Sequence, residues 1–147
     1  MATAYTEIYK RFYDKITDYN MVDFDLDTRE EILESYLKSA EVEFERICQK
    51  DLTDKDDYLK QYNEDLSNKE IEILATGMLY YWYSPMVHNT DLAHNILNTK
   101  DFSTYSPANL LSSLSNIHKE IKSNFRRLMV NYSFDNADIA NLGNINN

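Results

Sequence analysis

The chain has 147 residues with 25 acidic and 15 basic side chains, a formal net charge of −10, and a length that suits one domain with a core of its own. Two glycines and two prolines are too few for the turns of an all-β fold, and one cysteine, Cys48, excludes an internal disulfide or a cysteine metal cluster. No run approaches the ~20 apolar residues that span a bilayer, and the N-terminus lacks the basic-then-apolar pattern of a signal peptide, so a soluble, intracellular protein without membrane partners is expected.

The charge is segregated. Residues 23–74 hold seventeen acids against seven bases, and the regions on either side balance. Such a field repels phosphate backbones, which speaks against sequence-specific nucleic-acid binding. Apolar residues at steps of three and four throughout predict an all-α fold: a single small helical domain over 1–132, with a long C-terminal helix, followed by a flexible tail over 133–147.

In chain order, Tyr5, Ile8, Tyr9, Phe12, Tyr13 and Ile16 form one stripe of a first amphipathic helix over 3–19. Residues 22–27 alternate apolar and acidic and read as an extended linker. Asp23, Asp25, Asp27 and Glu34 have the spacing of a calcium-binding loop, but Thr28 stands where that loop needs glycine and Glu30 where it needs an apolar residue. Thr28 with Glu31 reads instead as a capping box that opens a second helix, with a stripe from Ile32 through Leu37, Ala40 and Phe44 to about Lys50. The acids Asp54, Asp56 and Asp57 fall in a polar stretch, 51–66, that reads as a solvated loop with a surface helical turn.

The third helix organises the rest. Ser67 and Glu70 form a capping box, Leu66 is placed to staple onto Ile71, and Ile71, Leu74, Ala75, Met78, Leu79 and Trp82 follow at helical steps. Ile73, Tyr80, Tyr81 and Tyr83 fill its flanks, so burial on more than one side is expected. Pro85 is expected to end it at Ser84.

The succession of a Tyr36-Leu37-Lys38-Ser39-Ala40 helix, an acidic loop and a helix closing in Leu79-Tyr80-Tyr81-Trp82-Tyr83 resembles the small helical head-to-tail connector (adaptor) proteins of tailed double-stranded DNA bacteriophages. The resemblance covers roughly residues 25–88. This sequence departs from that pattern in Ser84-Pro85, where the family tends to carry polar residues with an arginine, and in the long helix that follows. The resemblance implies a structural virion protein of the neck, a homo-oligomeric ring usually of twelve copies, bound to the portal protein and to a stopper or tail-completion protein. DNA would pass through without sequence-specific binding. A stopper or tail-completion role in the same neck is the near alternative. An acidic helical regulator that mimics DNA and binds a host enzyme is the distant one.

After Pro85, a short helix through Leu92, Ile96 and Leu97 is expected. Ser106-Pro107 then opens a long helix whose narrow seam, Leu110, Leu114, Ile117, Ile121, Phe125 and Leu128, runs to Val130 or Tyr132. That seam suits either the domain's own core or a partner helix. The late basic residues Lys119, Lys122, Arg126 and Arg127 suit the negative end of the helix dipole or an inter-subunit face. On the connector resemblance, Asp54, Asp56 and Asp57 would line the channel or face the next subunit. Phe134, Ile139, Leu142 and Ile145 in the asparagine-rich tail would dock on the portal.

Nothing in the sequence marks an active site. His88, His94 and His118 belong to no HExxH or Cys/His grouping, there is no glycine-rich phosphate loop, and no GxSxG elbow is present. No cofactor and no enzymatic activity are expected.

Overall fold

The computed structural model describes residues 1–16, 26–88 and 107–145. Four helices carry most of it: α1 (Tyr5–Lys15), α2 (Leu26–Phe44), α3 (Asn68–His88) and α4 (Pro107–Ile145). Helix α3 stands in the middle and packs against each of the other three. Ile73, Leu74, Ala75, Met78, Trp82 and Tyr83 are all buried, which meets the expectation of burial on more than one side.

The capping box at its start is formed in both directions. The Glu70 amide donates to Ser67 Oγ at 3.2 Å and the Ser67 amide donates to Glu70 Oε1 at 2.7 Å. Leu66 and Ile71 are both buried beside it. The far end corrects the sequence reading, because α3 runs through Pro85 to His88. Proline deletes one ladder hydrogen bond, at a cost of about 3 kcal/mol in a helix interior. Here the ring lies on an exposed side, while Trp82 and Tyr83 one turn earlier are buried and hold the helix in place.

Helix α1 lays Tyr5, Ile8, Tyr9 and Phe12 into the core, with the Phe12 ring edge-on to Trp82 at 6.2 Å. Arg11 and Lys15 on its outer side both reach Glu72 of α3. Helix α2 buries Leu33, Leu37, Ala40 and Phe44. It starts at Leu26, so Asp27, Thr28 and Glu34 are helical and the calcium-loop spacing is not a loop from Asp27 on. Its stripe continues to Cys48, but the regular helix stops at Phe44. Beyond it the Ile47 and Cys48 amides both close back on the Phe44 carbonyl, and the Gln49 amide donates to the Tyr132 hydroxyl at 2.9 Å. The expected short helix through Leu92, Ile96 and Leu97 lies outside the described residues.

The seam of α4 packs on the domain's own core. Leu114, Phe125 and Tyr132 are buried and Ile117, Ile121, Leu128 and Met129 pack beside them. The helical backbone continues past Tyr132 to Ile145, over residues that the sequence separates as a tail.

Residues 51–66 hold no helical turn. They form a hairpin of two-residue strands, β2 (Lys55–Asp56) and β3 (Gln61–Tyr62), and β1 (Thr3–Ala4) adds to β3 in the antiparallel order β1-β3-β2. Side chains fix this small sheet to the helices. The Tyr62 hydroxyl, fully buried, donates to Glu41 of α2 at 3.0 Å, and Lys55 pairs with the same carboxylate at 2.9 Å. Thr3 Oγ1 donates to the Glu64 carbonyl and accepts from the Leu66 amide, both at 2.9 Å, which ties the N-terminus to the entry of α3.

Three helices meet at Gly77. A Cβ there would lie 2.6 Å from Ala40 Cβ on α2 and 2.8 Å from Phe125 Cζ on α4, closer than carbon atoms approach. Alanine is the better helix former by about 1 kcal/mol, but overpacking a tight core costs typically 1–3 kcal/mol. Gly77→Ala should therefore destabilise the fold by a net of about 1 kcal/mol in urea unfolding. Unchanged or raised stability would contradict the close approach.

Candidate functional site

The chemistry-bearing side chains fall into a buried polar cluster, an acidic hairpin tip, and a basic, partly apolar strip on α4. The buried cluster centres on Glu70, 2% exposed. Its Oε1 accepts from the Ser67 amide and pairs with Lys50 at 3.3 Å. Its Oε2 accepts from the Tyr132 hydroxyl at 2.7 Å and the Cys48 thiol at 3.6 Å. One carboxylate thus joins the end of α2, the start of α3 and the middle of α4. Burial alone would raise the Glu70 carboxyl, but the Ser67 amide and hydroxyl, Tyr132 and Lys50 outweigh it and hold it below the ordinary 4.5. Burial pushes the Cys48 thiol up to about 11, which favours its neutral form.

Ser84 and His118 form a contact with no counterpart in the sequence reading. His118 Nε2 lies 2.9 Å from Ser84 Oγ, and its ring stacks on Tyr80 at 4.4 Å. Ser84 Oγ, however, donates its own proton to the Tyr80 carbonyl at 3.0 Å. The hydroxyl thus lies between the Tyr80 carbonyl and the imidazole and links α3 to α4. Among the described residues no group of three or more His, Cys, Asp and Glu side chains could hold a metal ion, and no helix is long and apolar enough to cross a membrane.

At the hairpin, the three acids expected to act together have different tasks. Asp56 Oδ1 accepts from the Tyr58 and Leu59 amides, both at 2.9 Å, and so shapes the turn. Asp54 accepts from the Asn63 side chain at 2.9 Å, and Asp57 is exposed at the tip. Lys60 closes the loop with φ 54°, in the left-handed region, and its carbonyl accepts from the Tyr5 amide while its ammonium reaches Glu34. The result is a braced loop that holds Tyr58 at 92% and Leu59 at 58% exposure. The sequence carried the turn chemistry in Asp56, but two-residue strands have no period from which to read a hairpin.

On α4, Lys119, Lys122, Arg126 and Arg127 are all exposed, and none pairs with a carboxylate among the described residues. Arg127 donates to Asn124. Arg126 lines a groove of about 460 Å³ between the segment after α2 and α4, together with Arg46, Ile47, Met129, Val130 and Phe134. Phe134 is 64% and Val130 60% exposed. Ile139, Leu142 and Ile145 follow on the same helical backbone, so Phe134 is grouped with Val130 and Arg126 in this groove by the structure.

No protein-family model, curated protein or solved structure matches this chain.

Two measurements check the buried cluster. Tyr132→Phe leaves Glu70 and the Gln49 amide each short of a partner, so it should cost about 1–3 kcal/mol in unfolding free energy; a neutral substitution would contradict the network. Glu72 is also held below 4.5, burial being outweighed by Lys15 and Arg11. Groups depressed in the folded state stabilise it fully above the unfolded value and lose that effect as pH falls through the folded one. Thermal stability should therefore fall most steeply below pH 4.5; a flat or rising profile there would contradict the assignment.

Proposed function

We propose that this chain is a structural subunit of a bacteriophage neck, a head-to-tail connector that assembles as a ring between the portal and the tail or stopper proteins and extends the DNA channel. Its work is assembly rather than catalysis. The observation that carries the reading is the Tyr36-Leu37-Lys38-Ser39-Ala40 and Trp82-Tyr83 pattern. It falls on the two helices that form the centre of the core, with Leu37, Ala40, Trp82 and Tyr83 all buried. The pattern is therefore a packing signature, of the kind a small helical subunit needs in order to hold its outward surfaces in fixed positions.

The charge distribution supports the connector over a DNA-mimicking regulator. A mimic needs its acids turned outward in an ordered array. Here Glu34, Glu41, Glu70 and Glu72, four of the acids of residues 23–74, are paired with lysine or arginine of the same chain. Of the acids left exposed, Asp54 and Asp57 lie at the hairpin and Glu30, Glu31, Glu43 and Glu45 lie along or just past α2; such a surface would keep passing DNA from adhering or would meet a neighbour's basic strip.

Truncation after Asn136 removes Ile139, Leu142 and Ile145 while keeping Tyr132 in the core. It should weaken co-sedimentation with the portal protein at least tenfold and leave the circular dichroism per residue helical. Undiminished portal binding would remove the docking role of this segment.

A further inference from the structure

The hairpin tip and the α4 groove are complementary, and both lie on one chain. The tip presents an aromatic and an aliphatic side chain, Tyr58 and Leu59, next in sequence to the exposed Asp57 and the half-buried Asp56, with the exposed Asp54 nearby on the same hairpin. Its lysines do not cancel that charge, because Lys55 is paired with Glu41 and Lys60 with Glu34. The groove is the reverse: Ile47, Met129, Val130 and Phe134 line it together with two exposed arginines, Arg46 and Arg126. The acid that also borders it, Glu43, accepts a hydrogen bond from Tyr81.

The tip is braced rather than loose. Asp56 fixes the Tyr58 and Leu59 amides, Lys60 locks the exit of the loop, and the Tyr5 amide holds the Lys60 carbonyl. A braced loop that holds a tyrosine at 92% exposure loses little conformational freedom when that ring is buried by a partner. Tyrosine and arginine are also the residue types that dominate the centres of protein interfaces. At about 460 Å³ the groove falls within the roughly 300–1,000 Å³ of clefts that bury drug-sized molecules, so it has room for the ring.

We infer that the Tyr58–Leu59 tip of one copy of this chain seats in the groove lined by Arg46 and Arg126 of the next. The two surfaces are different patches of the same molecule, so the contact is head-to-tail, the kind that generates rings when the rotation closes. The inference deepens the connector reading and rests on it in one respect, that copies of the chain are one another's partners. It moves Phe134 from portal docking to the subunit interface, and leaves Ile139, Leu142 and Ile145 to the portal.

The test uses two variants of the full chain, both altered only at exposed positions: a tip variant, Tyr58→Ala with Leu59→Ala, and a groove variant, Val130→Asp with Phe134→Asp. Circular dichroism checks that each is folded, and sedimentation velocity reads the assembly state. The wild-type chain should self-associate, more strongly at low salt. Each variant alone should dissociate at least tenfold more readily, and an equimolar mixture should form a dimer that grows no further, since only one intact tip and one intact groove then remain. A wild-type chain that stays monomeric at concentrations to about 1 mM would overturn the inference. So would variants that assemble like the wild type, or a mixture that does not dimerise. Portal co-sedimentation of the wild-type chain is measured alongside, so a misplaced interface is distinguished from a mistaken connector reading.

Discussion

The constraint on which the structure depends is the contact of three helices at Gly77. With no side chain there, Ala40 of α2 and Phe125 of α4 both come against the backbone of α3. Helix α3 can then be shared as a wall by both neighbours, and the apolar residues around its circumference all find partners. Glu70 acts one end further along the same helix. Its carboxylate receives a hydroxyl from α4, an ammonium and a thiol from the segment after α2, and its own capping amide. A buried charge without such partners is expensive; with them it fixes how far each element slides along the others.

How much of this the sequence carried depends on the range of the interaction. The Ser67–Glu70 capping box, the stripe of α2 and the seam of α4 are local, periodic features, and all three were legible. The link from Glu70 to Tyr132 spans 62 residues and leaves no spacing to read. The sheet was missed because two-residue strands show no alternation, and its support comes from distant side chains such as Glu41 and Thr3. Pro85 was read by its local rule, which burial of Trp82 and Tyr83 overrides. In the candidate site, the acids and bases were found as clusters of charge. The exposed Tyr58 and Leu59 were not, because apolar residues in a polar stretch look the same whether they point inward or outward until the fold is known.

The same rigidity connects fold to function. What the core does hold in fixed positions are outward features, a braced acidic tip on one side and a basic strip with an apolar groove on α4. The proposed connector role needs features of this kind. Preorganised surfaces lose less entropy on association than loose ones, and opposed charges select the register between copies.

The most direct measurement of the proposed connector role is affinity purification of the tagged chain from the cells that produce it, with crosslinking and mass spectrometry of the proteins that accompany it. The account predicts portal and tail proteins in the eluate. It also predicts crosslinks that join residues after Asn136 to the portal. A host nuclease or polymerase in the eluate, with no virion protein, would contradict it.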